Sequence, residues 1–311
     1  MNKATALNAI KKTIAQVVLA AGALLLAQPA AAELRVLACE PEWAALVQEL
    51  AGDKVSVYSA TTALQDVHHI EARPSLIARA RNADLVMCTG SELEVGWLPL
   101  LLRQSGNERI QPGAPGYLET SQFVPRLEIP KLLDRSLGDI HAAGNPHIHL
   151  DPHNIAKVAQ VLRDRLAQLD RVNAELYRTR TAAFLARWDA AIQRWEVEAA
   201  PLKGLTMVVY HRNMSYLNAW LGLREAGSLE PKPGVPPTTA HLADLVARMQ
   251  AAPARVIVYN AYNNPQAAQF LSARSKIPAV MLPYTVGGSD GAKDLFGLFD
   301  DTLARLLAVL K

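Results

Sequence analysis

The sequence predicts an α/β protein of two lobes, each a mostly parallel sheet flanked by helices, joined by one long rigid helix. Three observations carry this. Short β-branched runs alternate with helical stretches from Glu33 to Ser105. The same rhythm restarts at Leu205. Between them lies an uninterrupted amphipathic stretch ending at Pro201 and Gly204. Strands alternating with helices imply parallel sheets covered by helices. The 311 residues, half of them hydrophobic and 20% charged, are enough for about two ordinary domains.

Residues 1–32 read as a secretory signal peptide. Lys3, Lys11 and Lys12 precede the apolar run Ile14 to Ala27, and Ala30-Ala31-Ala32 offers an Ala-x-Ala cleavage site. The run is shorter than the ~20 apolar residues that span a bilayer. Cys39 loosely resembles a lipoprotein cleavage cysteine, but Glu33 and Arg35 interrupt the apolar segment before it. A soluble, exported, monomeric protein is expected. Removing residues 1–32 leaves 29 basic and 29 acidic side chains. A neutral body argues against nucleic-acid binding, which runs on clustered Lys and Arg.

The N-terminal lobe, residues 33–169, opens with strand Leu34–Ala38, helix Pro41–Ala51 and strand Lys54–Ala60. Helix Pro74–Asn82, strand Asp84–Thr89 and a helix around Leu93–Ser105 follow. Pro and Gly then make Gln111–Gly144 an irregular segment with short strands. Pro152–Gln168 is helical. The linking helix spans 170–199, with Asp170 as its N-cap. Phe184, Trp188, Ile192 and Trp195 recur there at helical spacing. The C-terminal lobe, 200–311, holds strands Leu205–Tyr210, Arg255–Tyr259 and Ala279–Leu282. Its helices are Tyr216–Leu221, Ala240–Met249, Pro265–Ser275 and Leu295–Leu310, with Ser228–Pro237 a Pro-rich loop. No sequence repeat relates the lobes. Cys39 and Cys88 each end a strand, and either pair as a disulfide or sit as two buried thiols.

The eight histidines all lie at or beyond residue 68. His68, His147 and His211 fall near strand or loop ends, where open α/β sheets place their ligand crevice. Imidazoles meeting there can hold zinc with three or four N/O ligands. Separations of 79 and 64 residues lie outside any short metal motif, so spacing leaves scattered histidines equally open.

Four segments in order resemble the signatures of the zinc and manganese solute-binding proteins of ABC importers. They are Asp66-Val67-His68-His69-Ile70-Glu71-Ala72-Arg73-Pro74-Ser75, Asn145-Pro146-His147-Ile148-His149-Leu150-Asp151-Pro152, Val209-Tyr210-His211 with Tyr216 beyond, and Pro283-Tyr284-Thr285-Val286-Gly287-Gly288-Ser289-Asp290. The resemblance covers essentially the whole mature chain. It implies a non-enzymatic periplasmic protein that captures a divalent metal and passes it to an inner-membrane ABC permease. It also implies His68, His147 and His211 as ligands, the third His favouring Zn2+ over Mn2+. Many relatives place an Asp where Val286 stands. The fourth ligand is therefore Asp290, a water, or His149, which stands where relatives often have Trp. Asp66 and Glu71 are candidates to orient His68. His141 alone falls in Gln111–Gly144, so no His-rich scavenging loop is expected. Two alternatives stand beside this reading: an exported zinc-dependent hydrolase, and a same-fold binding protein for an organic metal chelate.

Overall fold

A computed structural model describes residues 33–131, 138 and 141–311. The signal-peptide reading of residues 1–32 lies outside the described residues.

Two four-stranded, all-parallel sheets organise the chain. The first contains β1 (Leu34–Ala38), β2 (Val55–Ser59), β3 (Leu85–Cys88) and β4 (Tyr117–Glu119), in the spatial order β2-β1-β3-β4. The second contains β5 (Thr206–Val209), β6 (Arg224–Ser228), β7 (Val256–Asn260) and β8 (Ala279–Leu282), in the order β6-β5-β7-β8. The two orders are the same, so the lobes repeat a topology although no repeat shows in their sequences. Strand β6 was not expected. Its sequence, Arg-Glu-Ala-Gly-Ser, has no β-branched residue, and its edge position relieves it of packing on two sides.

Helices α1 (Pro41–Ala51), α2 (Pro74–Asn82) and α3 (Leu98–Ser105) cover the first sheet. Proline sits in the first turn of each, where a missing N–H costs nothing. Residues 93–97, expected to be helical, form turns with Ser91 and Glu92 at positive φ, and α3 begins only at Leu98. Helix α4 (Pro152–Leu169) leads into α5 (Ala174–Ala199), which carries a 3-10 turn at each end. Asp170 caps the first of these turns, Arg171–Asn173, so the α-helix proper starts four residues later than expected. Helices α6 (Ser215–Leu221), α7 (Thr239–Ala251), α8 (Gln266–Ser275) and α9 (Leu295–Ala308) complete the second lobe.

One hydrophobic core runs through both lobes. It joins Val36, Trp43 and Leu85 of the first lobe to Met207, Val258 and Phe299 of the second, through Tyr177, Phe184, Trp188 and Trp195 of α5. Trp188 donates to the Pro152 carbonyl at 2.8 Å and Trp195 to Asp300 at 2.6 Å, which seats α5 on α4 and α9. Truncating one such aromatic costs roughly 3–5 kcal/mol. The linking helix is thus the centre of a shared core as well as a rod between lobes. Smaller clusters fill the outer faces, under α2 and α3 on one sheet and under α7 and α8 on the other.

Strands β1 and β3 are adjacent and in register, and Cys39 at the end of one is disulfide-bonded to Cys88 at the end of the other. The link closes a loop of 49 residues. On chain-entropy grounds such a loop contributes about 4 kcal/mol.

Candidate metal centre

The structure brings His68, His147 and His211 together between the lobes, with one ligand atom from each within 4.8 Å of the others. Ring centroids lie 5.4 Å (His68 to His211), 5.7 Å (His68 to His147) and 5.8 Å (His147 to His211) apart. Nitrogens on one tetrahedral zinc stand roughly 3.3 Å apart, as metal–nitrogen bonds of 2.0–2.1 Å require. Side-chain rotation of about an ångström closes that difference.

Each histidine is set by its local sequence. His68 lies in the 3-10 turn Val67–His69, which Asp66 caps by accepting from the His68 backbone N–H at 3.0 Å. Trp97 donates its indole N–H to the Val67 carbonyl at 2.9 Å and pins the turn to the first lobe. His147 follows Asn145, whose side-chain oxygen accepts from the His147 N–H at 3.0 Å. The Asn145 amide group also donates to Ser215 Oγ and Glu128, tying the segment to the second lobe. His211 stands two residues beyond β5.

All three rings have Nδ1 engaged. His68 Nδ1 lies 2.8 Å from Asp66 Oδ1, and His211 Nδ1 2.7 Å from Glu230 Oε2. A carboxylate only accepts, so both rings donate from Nδ1, which leaves Nε2 as the atom to meet an ion. His147 Nδ1 meets the Tyr284 hydroxyl at 2.7 Å. His68 Nε2 is buried with no hydrogen-bond partner. Three imidazoles, two of them backed by carboxylates, make a site whose outer charges balance a divalent cation.

Burial, and then the neighbouring His68 and His211, hold His147 well below its ordinary value of 6.5. The ring is therefore neutral and able to bind metal. Burial alone raises the Asp66 carboxyl, but its hydrogen bond and attraction to His68 outweigh that and hold it below the usual value. Tyr284 is raised well above the ordinary phenol range, chiefly by burial, so its hydroxyl keeps its proton.

The other sequence candidates fall elsewhere. Asp290 is exposed and is not part of the histidine cluster. The turn after β8 folds back, Gly287 N–H donating to the Ala292 carbonyl and Gly288 lying tight against the Pro283 carbonyl. That turn carries Asp290 outward. His149 is buried, with Nε2 3.0 Å from the Tyr284 carbonyl and Nδ1 3.2 Å from Glu42 Oε1. Glu42 also accepts from the Thr285 hydroxyl, so α1 is joined to the end of β8. Glu71, His69 and His153 are exposed, whereas His241 turns inward to the Ser228 carbonyl at 2.8 Å.

Three site residues escaped the sequence: Glu230, which holds His211, Tyr284 and His141. Tyr284 stands in a sequence motif that gives it no role, yet it adopts φ +67° and serves His147 with its hydroxyl and His149 with its carbonyl. His141 lines the same cavity of about 270 Å³ as Glu128, Asn145, His147, His211 and Arg212. Burial, with His68 and His211 nearby, lowers His141 to about 4.

The family described as the periplasmic zinc-uptake complex component A (ZnuA) matches residues 36–309. Over 207 residues the chain is 26% identical to the iron-binding protein YfeA of Yersinia pestis, covering 65% of this chain and 62% of that one. Over 210 residues it is 24% identical to the manganese-binding lipoprotein MntA of Halalkalibacterium halodurans, covering 66% and 64%. The chain thus spans less than two thirds of the length of these relatives. A crystal structure of ZnuA superposes with a TM-score of 0.73 at 19% identity, over 89% of this chain and 99% of that chain, and shares the fold. With a family match running from β1 into α9, the chain belongs to the family of the periplasmic component A of the zinc-uptake complex.

Proposed function

We propose that this protein captures a divalent transition metal between its two lobes, zinc in preference to manganese, and delivers it to an inner-membrane ABC permease. The observation that carries the reading is the triad of His68, His147 and His211, each ring anchored through Nδ1 and free to offer Nε2. Imidazole nitrogen suits zinc, whereas manganese favours carboxylate and water oxygen. The family's zinc-uptake description agrees with that choice, while the relatives named for iron and manganese show that the scaffold serves other ions too.

Residues 1–32 act as a cleaved leader in this reading, and the mature chain works in the periplasm as a monomer. Residues 33–169 and 200–311 form the two lobes and 170–199 the link. Asp290 contributes to the second lobe's surface turn in place of the metal shell. The hydrolase alternative finds no support in the family match. It also needs a base aimed at a metal-bound water. Asp66 and Glu230 are already committed to the histidines, and Glu128, which lines the cavity, accepts from the Asn145 amide. An organic chelate would call for aromatic and arginine walls, and this cavity presents three imidazoles, Asn145, Glu128 and a single arginine, Arg212.

Elemental analysis and chelator competition on the mature chain test the proposal. One zinc per chain is expected. His68→Ala, His147→Ala and His211→Ala should each weaken it by more than about a hundredfold, the upper end of what loss of an outer-shell partner costs. Binding indifferent to all three substitutions would overturn the reading.

A further inference from the structure

The geometry points to His141 as the fourth metal ligand, completing a shell of four imidazoles; this rests on the metal-binding reading above. Four imidazoles on one tetrahedral ion place their ring centroids roughly 5 Å apart, given metal–nitrogen bonds of 2.0–2.1 Å. The three rings of the triad already stand 5.4–5.8 Å from one another. His141 stands beside them, at 5.4 Å from His68 and 6.4 Å from His147, outside the group whose ligand atoms already lie within 4.8 Å of one another. Its ring must move inward by roughly an ångström more than those of the triad, on the side facing His147, for metal–nitrogen bonds of 2.0–2.1 Å to form.

Its free atom is the right one. His141 Nε2 is buried and has no hydrogen-bond partner among the described residues, the same condition as His68 Nε2. A buried imidazole nitrogen without a partner is costly unless something fills its lone pair. A cation shared with three neighbouring nitrogens does so.

The backbone holds the ring there by specific bonds. Ala142 donates its N–H to the Glu92 carboxylate, fastening this turn to the first lobe. The Gly144 N–H donates to the His141 carbonyl at 3.0 Å, and Asn145 N–H to the Leu127 carbonyl at 2.8 Å. Gly144 adopts φ +100°, and a Cβ there would stand 2.7 Å from the Leu127 oxygen, so this turn requires glycine. The turn therefore places His141 and, through Asn145, His147 in one operation.

The consequence is selectivity. A shell of four nitrogens with no carboxylate in direct contact disfavours manganese, which prefers oxygen, more strongly than a three-histidine site closed by Asp290 would. The test measures Zn2+ and Mn2+ affinities by chelator competition, and the visible absorption of the Co2+-loaded protein, for the wild type, His141→Ala and His141→Asp. We expect His141→Ala to lose at least about tenfold in zinc affinity, the scale of losing even an outer-shell partner, and to alter the Co2+ bands. His141→Asp should narrow the zinc-to-manganese affinity ratio. If His141→Ala keeps the wild-type affinity and Co2+ spectrum while His147→Ala abolishes binding, His141 is not a ligand and the triad stands without it. If the wild type itself holds no stoichiometric metal, the metal-binding reading falls and this assignment with it.

Discussion

The Tyr284 hydroxyl lies 2.7 Å from Nδ1 of His147, across the boundary between the two lobes. The two residues are 137 positions apart in the chain. His68 and His211 are oriented by carboxylates, Asp66 and Glu230, whereas His147 is oriented by a phenol on a residue with positive φ. The end of β8 is thereby part of the candidate metal centre although it supplies no residue to the triad.

Removing that hydroxyl alone should weaken the ion without loosening the fold. Tyr284→Phe keeps the ring and its contacts with His149 and Tyr262. Zinc affinity is expected to fall by about 10–100-fold, the usual cost of an outer-shell partner. The metal-free melting temperature should change little. Competition titration and a thermal melt of the metal-free protein check both halves.

A buried acid pair behind the disulfide sets a pH dependence separate from the metal. Glu40 and Glu94 meet around Thr89, whose N–H and hydroxyl donate to Glu40 and whose N–H also donates to Glu94. Burial, followed by repulsion from Glu94 and Glu42, raises the Glu40 carboxyl well above its ordinary 4.5. Burial raises Glu94 to about 7. Acids raised in the folded state bind protons that the unfolded chain has already released. Their contribution is full below pH 4.5 and is lost as pH rises through about 7. Glu40→Gln mimics the protonated acid, so its stability relative to the wild type should improve from pH 5 to pH 8 in urea unfolding of the metal-free protein. An equal difference at both pH values would contradict this.

Metal release should proceed without wide separation of the lobes. Trp188, Trp195, Phe184 and Phe299 belong to one core that reaches both sheets, and swinging the lobes apart would expose it. Hinge motion needs an interface that parts cheaply. Small-angle scattering of zinc-loaded and metal-stripped protein should therefore give the same radius of gyration within error. A clear expansion on stripping would show that the shared core opens.

Much of this was legible in the sequence, for identifiable reasons. Short apolar runs placed β1 and β8 to the residue, because those strands carry Val and Leu, with Met in β8, between clear breakers. Four ordered segments located His68, His147 and His211 despite separations that no short motif spans. Local pattern failed where tertiary context decides. Strand β6 forms at a sheet edge from residues of low strand propensity. Glu42 is an acid in a helix first turn, an ordinary place for one by local pattern, yet it bonds Thr285, 243 residues away. His141 stood alone in a segment rich in Pro and Gly, with nothing in its neighbours to show that the chain returns it to the triad. Asp290 was a stand-in for the Asp that relatives carry where Val286 stands, and the Gly287–Gly288 turn leaves it exposed.

The most direct measurement is anomalous diffraction at the zinc edge from crystals of the mature, zinc-loaded protein. The account predicts a single strong peak, bonded at about 2.0–2.1 Å to Nε2 of His68, His147 and His211. A peak elsewhere on the chain, or none in the crevice between the lobes, would contradict it.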